Sequence, residues 1–353
     1  MMVDTAIVGA GLAGLALAHR LTAAGQTVVV LDRRDRVGGR TLSQQTASGA
    51  RYDLGPAWIW PHNRRMLGLV QQLGLSIQPQ FATGRLVFQD DKGAVRRDLE
   101  FAPMAGSLRV AGGIAQVPEA LATGPVATCL RLGHRVDRIE SGHDGLSITG
   151  QGPDAPFEIQ AARVVLALPP RLAAARFGFE PALSSDLVAQ MAAVPTWMAG
   201  HAKVIATYDT PFWRASGLSG DAISHLGPLA EIHDASPDGH DHGALFGFVH
   251  PAATRDPDLK ARARDQLDGL FGPDAPPPTE LLVKRWVEDA ATATDADTAT
   301  LSAHPTYQPI HIHDSRWSGR LFLSGSETAA GEGGFLEGAL ESAERTAAEV
   351  LDR

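Results

Sequence analysis

Gly9-Ala10-Gly11-Leu12-Ala13-Gly14 has the spacing of a phosphate cradle. Gly9 allows a tight turn. Gly11 leaves room for a pyrophosphate against the backbone, and Gly14 lets the following helix pack closely on its strands. The N–H groups that open that helix, around Leu12 and Ala13, then face the phosphates, where the helix dipole favours negative charge. Asp32 follows about 20 residues later, where an acid binds ribose hydroxyls. The flanking runs fit: residues 3–9 suit a buried strand, 12–24 a helix stopped by Gly25, and 27–32 a second buried strand. This βαβ unit predicts a dinucleotide site, and by itself it leaves nicotinamide and flavin dinucleotides both open.

Other segments carry residue types suited to the same ligand. Arg33-Arg34-Asp35-Arg36-Val37-Gly38-Gly39-Arg40 follows the second strand directly. A guanidinium fork matches phosphate oxygens, and paired glycines let it lie close. Tyr52-Asp53-Leu54-Gly55-Pro56-Ala57-Trp58 comes next. Near the end stand Gly325-Ser326-Glu327-Thr328 and Gly333-Gly334-Phe335-Leu336-Glu337-Gly338-Ala339. In these segments the chain resembles the flavin-containing amine oxidase (monoamine oxidase-like) family, as a short bacterial-type member. The GGR ending, the DLG-x-x-W segment, the G-x-E-T segment and the G-aromatic-x-E-G-A helix start carry the resemblance. It favours FAD and argues against an NAD-dependent enzyme.

The resemblance implies a role for each residue. Arg33, Gly39 and Arg40 would bind the FAD phosphates. Gly55, Pro56, Ala57 and Trp58 would pass the flavin ring. Val136, in His134-Arg135-Val136-Asp137-Arg138-Ile139, would touch the adenine. Gly325 and Glu327 would lie at the ribityl and phosphate end. Gly334, Phe335 and Leu336 would lie over the flavin, with the last helix aimed at its pyrimidine side, where the dipole stabilises the charge of reduced flavin. The run His201 to Tyr208 with Pro211-Phe212-Trp213 resembles the segment whose lysine holds a water at flavin N5, so Lys203 would take that role and favour oxygen reduction. Trp286 would pack beside the flavin. Lys203, Trp286 and Phe335 form the implied catalytic set.

The implied reaction is hydride transfer from a small amine to flavin N5, imine hydrolysis, and reoxidation by O2 to H2O2. Alternatives are a flavin dehydrogenase or desaturase acting on a C–C bond, and a flavin-binding protein without turnover. The chain departs from the family pattern in four ways. Asp32 stands where glutamate is usual. The aromatic cage for the amine keeps one position, Phe335, with Tyr307 as a substitute for the other. The stretch between Trp58 and Gly112 is short, which predicts an open site or one closed by a partner in a homodimer. No cysteine lies near the C-terminal motif, which predicts non-covalent FAD.

The expected fold is α/β: an FAD-binding Rossmann-like (glutathione-reductase-like) domain with an inserted, smaller α+β substrate domain. Residues 1–62, 111–195 and 287–353 would form the first, and 63–110 and 196–286 the second. Helices are expected at 63–74, 114–123, 255–271 and 334–352, and a hairpin at 85–98. Strands are expected at 126–132, 135–140, 145–149, 157–160, 164–168, 201–208, 243–250, 280–287 and 320–324. His311-Ile312-His313 alternates like a strand, and residues 289–300 read as loop.

Composition narrows the partners. The 353 residues carry 31 basic against 40 acidic side chains, a net charge of −9. With no block of lysine or arginine, this disfavours nucleic acid and anionic membranes. Apolar residues make up 44%, enough for a large core. Cys129 is the one cysteine, so a cytoplasmic, reducing setting is expected and thiolate metal sites are not. His225, His233, His240, His242 and His250 lack ligand spacing, so no metal is expected.

Overall fold

The structure, a computed structural model, describes residues 2–237, 242–299, 301, 303–317 and 319–352. His240 lies outside the described residues.

Two sheets organise the chain. The first has eight strands, with Val3–Val8 at its centre. Ile7 pairs in parallel with Val30 on one side and Val165 on the other. Leu321–Leu323 joins beyond Val164–Leu166, and Leu130–Arg131 closes the far edge. All four residues of Val28–Leu31 are buried, as expected for a parallel strand covered on both faces. Helices Leu12–Ala23 and Leu336–Leu351 supply Leu15, Leu17, Leu340 and Ala343 to the core on one face. Leu187, Met191, Ile310 and Trp317 cover the other.

The second sheet has seven strands. Their order is Glu280–Arg285, Ala202–Tyr208, Gly243–Val249, Leu229–Asp234, Leu218–Ser224, Arg85–Gln89, Val95–Leu99. Helix Leu259–Phe271 packs on one face through Leu259, Ala263, Leu267 and Leu270. The other face presents Ile205, Phe246 and Leu282 to Tyr52 and Leu54 of the chain that leaves the first sheet. Helix Arg64–Gln72 sends Met66 and Val70 into the core beneath the first sheet.

Several expectations need correction. Residues 125–129 form a helical turn, Pro125–Cys129, and only Leu130–Arg131 is strand. Pro125 at the first turn presets the helical φ. The strands expected at 157–160 and 164–168 are one strand, Pro156–Leu166. Its first half pairs with Leu146–Gln151 and its second lies between Val3–Val8 and Leu321–Leu323. Leu218–Ser224 and Leu229–Asp234 were not expected as strands. Their Gly, Asp and His content is poor in strand formers, and neighbouring strands override it. His311 and His313 lie in no strand and are exposed.

Candidate active site

A cavity of about 970 Å³ runs from the glycine turn to the second sheet. That is the upper end of the range for cofactor pockets, about 300–1,000 Å³. Gly9, Gly11, Leu12 and Ala13 line one end, with Asp32, Arg33, Gly39 and Arg40 beside them. Val136 lines it there too, 4% exposed. Gly55, Pro56, Ala57 and Trp58 form a middle wall, facing Gly325, Phe335 and Leu336. Lys203 and Trp286 reach in from the second sheet. Two expected contact residues, Gly14 and Glu327, do not line the cavity and stand one layer behind it.

The glycines differ in what they make room for. A Cβ on Gly9 would lie 2.4 Å from the Ala167 carbonyl oxygen, and one on Gly14 would lie 1.9 Å from the Gly9 carbonyl oxygen. Packing demands those two. A Cβ on Gly11 would meet nothing nearer than Gly38 O at 4.0 Å, so the protein itself does not require glycine there. A pyrophosphate lying against that backbone would require it. Helix Leu12–Ala23 has no side-chain cap and no acid in its first turn, so its leading N–H groups remain available to an anion. These features fit the pyrophosphate of FAD.

Asp32 is spoken for locally. Its carboxylate accepts from Ala10 N–H and Arg34 N–H, both at 2.8 Å, so it fixes the glycine turn as well as facing the cavity. Glu327 is fully buried and grips Arg40 at 2.5 and 2.9 Å. Ser326 also donates to it. Burial works against the Arg40 charge, but Glu327 outweighs it and holds the guanidinium firmly protonated. Glu327 therefore acts through Arg40. Replacing Glu327 by alanine leaves an uncompensated, largely buried cation, which costs about 3–5 kcal/mol. The expected result is a lower melting temperature in the apoprotein, read by calorimetry. An unchanged melting temperature would contradict this account of the pair.

Lys203 is 5% exposed, and its ammonium donates to the Gly55 carbonyl at 2.5 Å. It also lies 5.3 Å from the Phe248 ring centre. Burial pulls its pKa down to about 8, partly offset by Asp53. Burial in turn pushes Asp53 up to about 6, against hydrogen bonds from Ser43 and Ile114 N–H. Trp286 is 3% exposed and donates its indole N–H to Leu54 O at 2.9 Å. The two strand ends that carry Lys203 and Trp286 are thus both tied to the Leu54-Gly55 backbone.

Phe335 is exposed at 45% and stacks on His304, with ring centres 4.6 Å apart. Tyr307 does not complete a cage. It is buried under Gly333 and Gly334, and its hydroxyl donates to Pro195 O. Trp197 stands at the cavity beside Phe335 instead, with ring centres 6.2 Å apart. Sequence reasoning missed Trp197, Trp60, Phe248 and Glu231, all cavity-lining. None sits in a motif, and only the pairing of distant segments reveals them. The described residues include no group of His, Cys, Asp and Glu able to hold a metal, and no helix long and apolar enough to cross a membrane.

A dinucleotide cradle on one sheet, sharing a cavity with a buried lysine and tryptophan from another, defines the site of a two-sheet flavin oxidoreductase. The profile of the family described as flavin containing amine oxidoreductase matches residues 12–104 and 90–351, and the chain belongs to that family. It is an FAD-dependent amine oxidase-like oxidoreductase. The putative flavin-containing monoamine oxidase AofH of Mycobacterium tuberculosis is 29% identical, over 99% of this chain and 96% of that one. Putrescine oxidase of Kocuria rosea is 27% identical over 99% and 95%. The AofH alignment runs over 455 positions against 353 residues here, so the relative carries internal segments that this chain lacks. Solved structures of putrescine oxidase bound to putrescine and of cyclohexylamine oxidase from Brevibacterium oxydans share the fold, with TM-scores of 0.83 and 0.82. Each is 22% identical and covered, like this chain, over its full length.

Proposed function

We propose that the protein oxidises a small amine with non-covalently bound FAD and passes the electrons to O2. The observation that carries this reading is the meeting of buried Lys203 and Trp286 with the glycine cradle in one cavity. FAD supplies the hydride acceptor when bound. In this reading residues 1–62, 111–195 and 287–353 hold FAD, and 63–110 and 196–286 shape the substrate side. Gly11, Leu12, Ala13 and Arg40 hold the phosphates, with Arg33 and Gly39 beside them. Asp32 takes the ribose and Val136 the adenine. The non-covalent assignment is supported by Cys129, whose thiol donates to Val126 O and does not line the cavity. A cytoplasmic setting follows only from the single cysteine.

Trp286 and Phe335 orient the amine, and Trp58 helps keep water out. Lys203 contributes charge. A fixed cation in a dry site stabilises developing negative charge on a reacting oxygen without reorganisation. Its pKa of about 8 means it is charged below that pH and neutral above it. The rate at which O2 restores the oxidised flavin spectrum is expected to fall as pH rises through about 8. Stopped-flow mixing checks this, and a rate flat from pH 7 to 9 would contradict it.

Peroxide yield tests the acceptor. Peroxide equal to the amine consumed is expected. Amine turnover that needs an added dye and yields no peroxide would overturn the oxidase reading and favour a dehydrogenase.

A further inference from the structure

Hydride leaves an amine readily only when its nitrogen is neutral. An alkylammonium, like a lysine side chain, keeps its proton up to about pH 10. Lys203 and Trp286 are both buried, so an amine that reaches them stands between its own proton and solvent. That proton needs a way out through the protein.

His201 lies beside this point. It immediately precedes strand Ala202–Tyr208, and its carbonyl accepts from Trp286 N–H at 2.9 Å. His201 and Lys203 flank Ala202, so their side chains take the same side of the chain, and both line the main cavity. His201 and Met198 also line a second, much smaller cavity of about 10 Å³, and so form the wall between the two. A tight turn holds them there. Ala199 N–H donates to Thr196 O and His201 N–H to Met198 O, both at 3.2 Å, and Met198 takes φ +61°, a conformation uncommon outside glycine.

The small cavity is polar. Thr196 lines it and is 2% exposed, and its Oγ1 has no hydrogen-bond partner among the described residues. Neither has the buried Nδ1 of His201. Unpaired buried polar atoms cost stability. About 10 Å³ is the room that one water takes, and two such atoms can hold it. Asp297, also in this wall, is engaged elsewhere: Oδ1 accepts from Arg171 and from Thr196 N–H, and Oδ2 from Thr294. Ala296 and Ala299 complete the wall and are exposed. The charged groups around His201 are Lys203 from its own strand, Arg171 from helix Pro170–Arg176, and Asp297 from the turn Asp295–Asp297. Burial first, and the Lys203 charge second, hold the His201 pKa below its usual value. The ring is therefore neutral at neutral pH, and it passes a proton on rather than keeping it.

We propose that one water bridges Thr196 Oγ1 and His201 Nδ1, and that His201 and this water carry the proton of the bound ammonium out of the main cavity. The relay rests on the amine oxidase reading above. The ammonium N–H bond breaks and an N–H bond forms on the imidazole nitrogen turned to the main cavity. The proton on Nδ1 passes to the water and leaves beneath Ala296 and Ala299. No electrons move, His201 ends with its charge unchanged, and back-exchange through the water restores its tautomer. Lys203 drives the step, because one cation repels another beside it. Thr196 is a positioning residue.

Two measurements test this. A crystal structure of the FAD-loaded protein is expected to show a water within hydrogen-bond reach of both atoms, and Thr196→Val, which removes only the hydroxyl, is expected to lose it. The second measurement is flavin bleaching under argon, with butylamine or hexylamine at saturation, whichever bleaches the wild type faster. His201→Asn is expected to slow bleaching about 100-fold near pH 7 and to approach the wild-type rate near pH 10, where the amine arrives neutral. Thr196→Val is expected to show the same pH signature with a smaller drop. Loss of packing alone would slow bleaching equally at every pH. No water between the two atoms, or a His201→Asn rate that runs parallel to the wild type across pH, would overturn the relay alone. Wild-type flavin that no primary amine bleaches at any pH would remove the oxidase reading and the relay with it.

Discussion

Gly11→Ala should fold as the wild type does and lose FAD. The Gly11 backbone is extended, with φ −75° and ψ −179°, a conformation any residue adopts. The added methyl would crowd no protein atom, the nearest being Gly38 O at 4.0 Å, the far edge of ordinary contact. It projects instead from the wall against which the pyrophosphate is to lie. Crowding of this kind costs about 1–3 kcal/mol, so FAD affinity should fall on the order of 10- to 100-fold, while the apoprotein melting temperature stays near its wild-type value. Gly14→Ala makes the contrast. Its methyl would collide with the Gly9 carbonyl, so that variant should lose both FAD and stability. Gly68→Ala serves as the control, since a Cβ there meets nothing within 4 Å. A Gly11→Ala protein that binds FAD as tightly as the wild type would contradict the placement of the phosphates.

Lys203→Met should slow reoxidation by O2 far more than reduction by amine. Methionine keeps an unbranched apolar stem, one atom shorter, but removes the charge and with it the ammonium's contacts with the Phe246 and Phe248 rings. Loss of one preorganised electrostatic group at a reacting oxygen typically costs about 10²–10³ in rate. The pH step near 8 should vanish with it, because the group that titrates is gone. The variant also relieves a burial penalty and leaves the Gly55 carbonyl without its donor, two effects on stability of opposite sign. The decisive reading is therefore the ratio of oxidative to reductive rates, measured separately by stopped flow. Equal slowing of both would assign Lys203 to architecture rather than to oxygen chemistry.

Much of the first sheet was legible because local and global demands agree there. Val28–Leu31 is apolar because both faces are covered, and Gly9 and Gly14 of the turn each answer to a nearby carbonyl oxygen. The second sheet was less legible. Leu218–Ser224 and Leu229–Asp234 contain Gly, Asp and His, and they become strands only through pairing with distant segments. The same reason hides the meeting of Phe248 and Glu231 with Lys203 at the cavity, since register between strands is not written in either strand alone. Tyr307 failed as a cage residue because the backbone of Gly333 and Gly334 covers its ring. Trp197, four residues before His201, reaches the site by a turn whose Met198 takes φ +61°, a bend that no motif announces.

The central claim is that an amine delivers electrons to a flavin held in this cavity. The purified holoprotein should be mixed with primary amines and diamines under argon while its absorption spectrum is recorded. The account predicts a flavin spectrum that an amine bleaches and that air restores with release of peroxide. A bound flavin that none of these amines bleaches would contradict it.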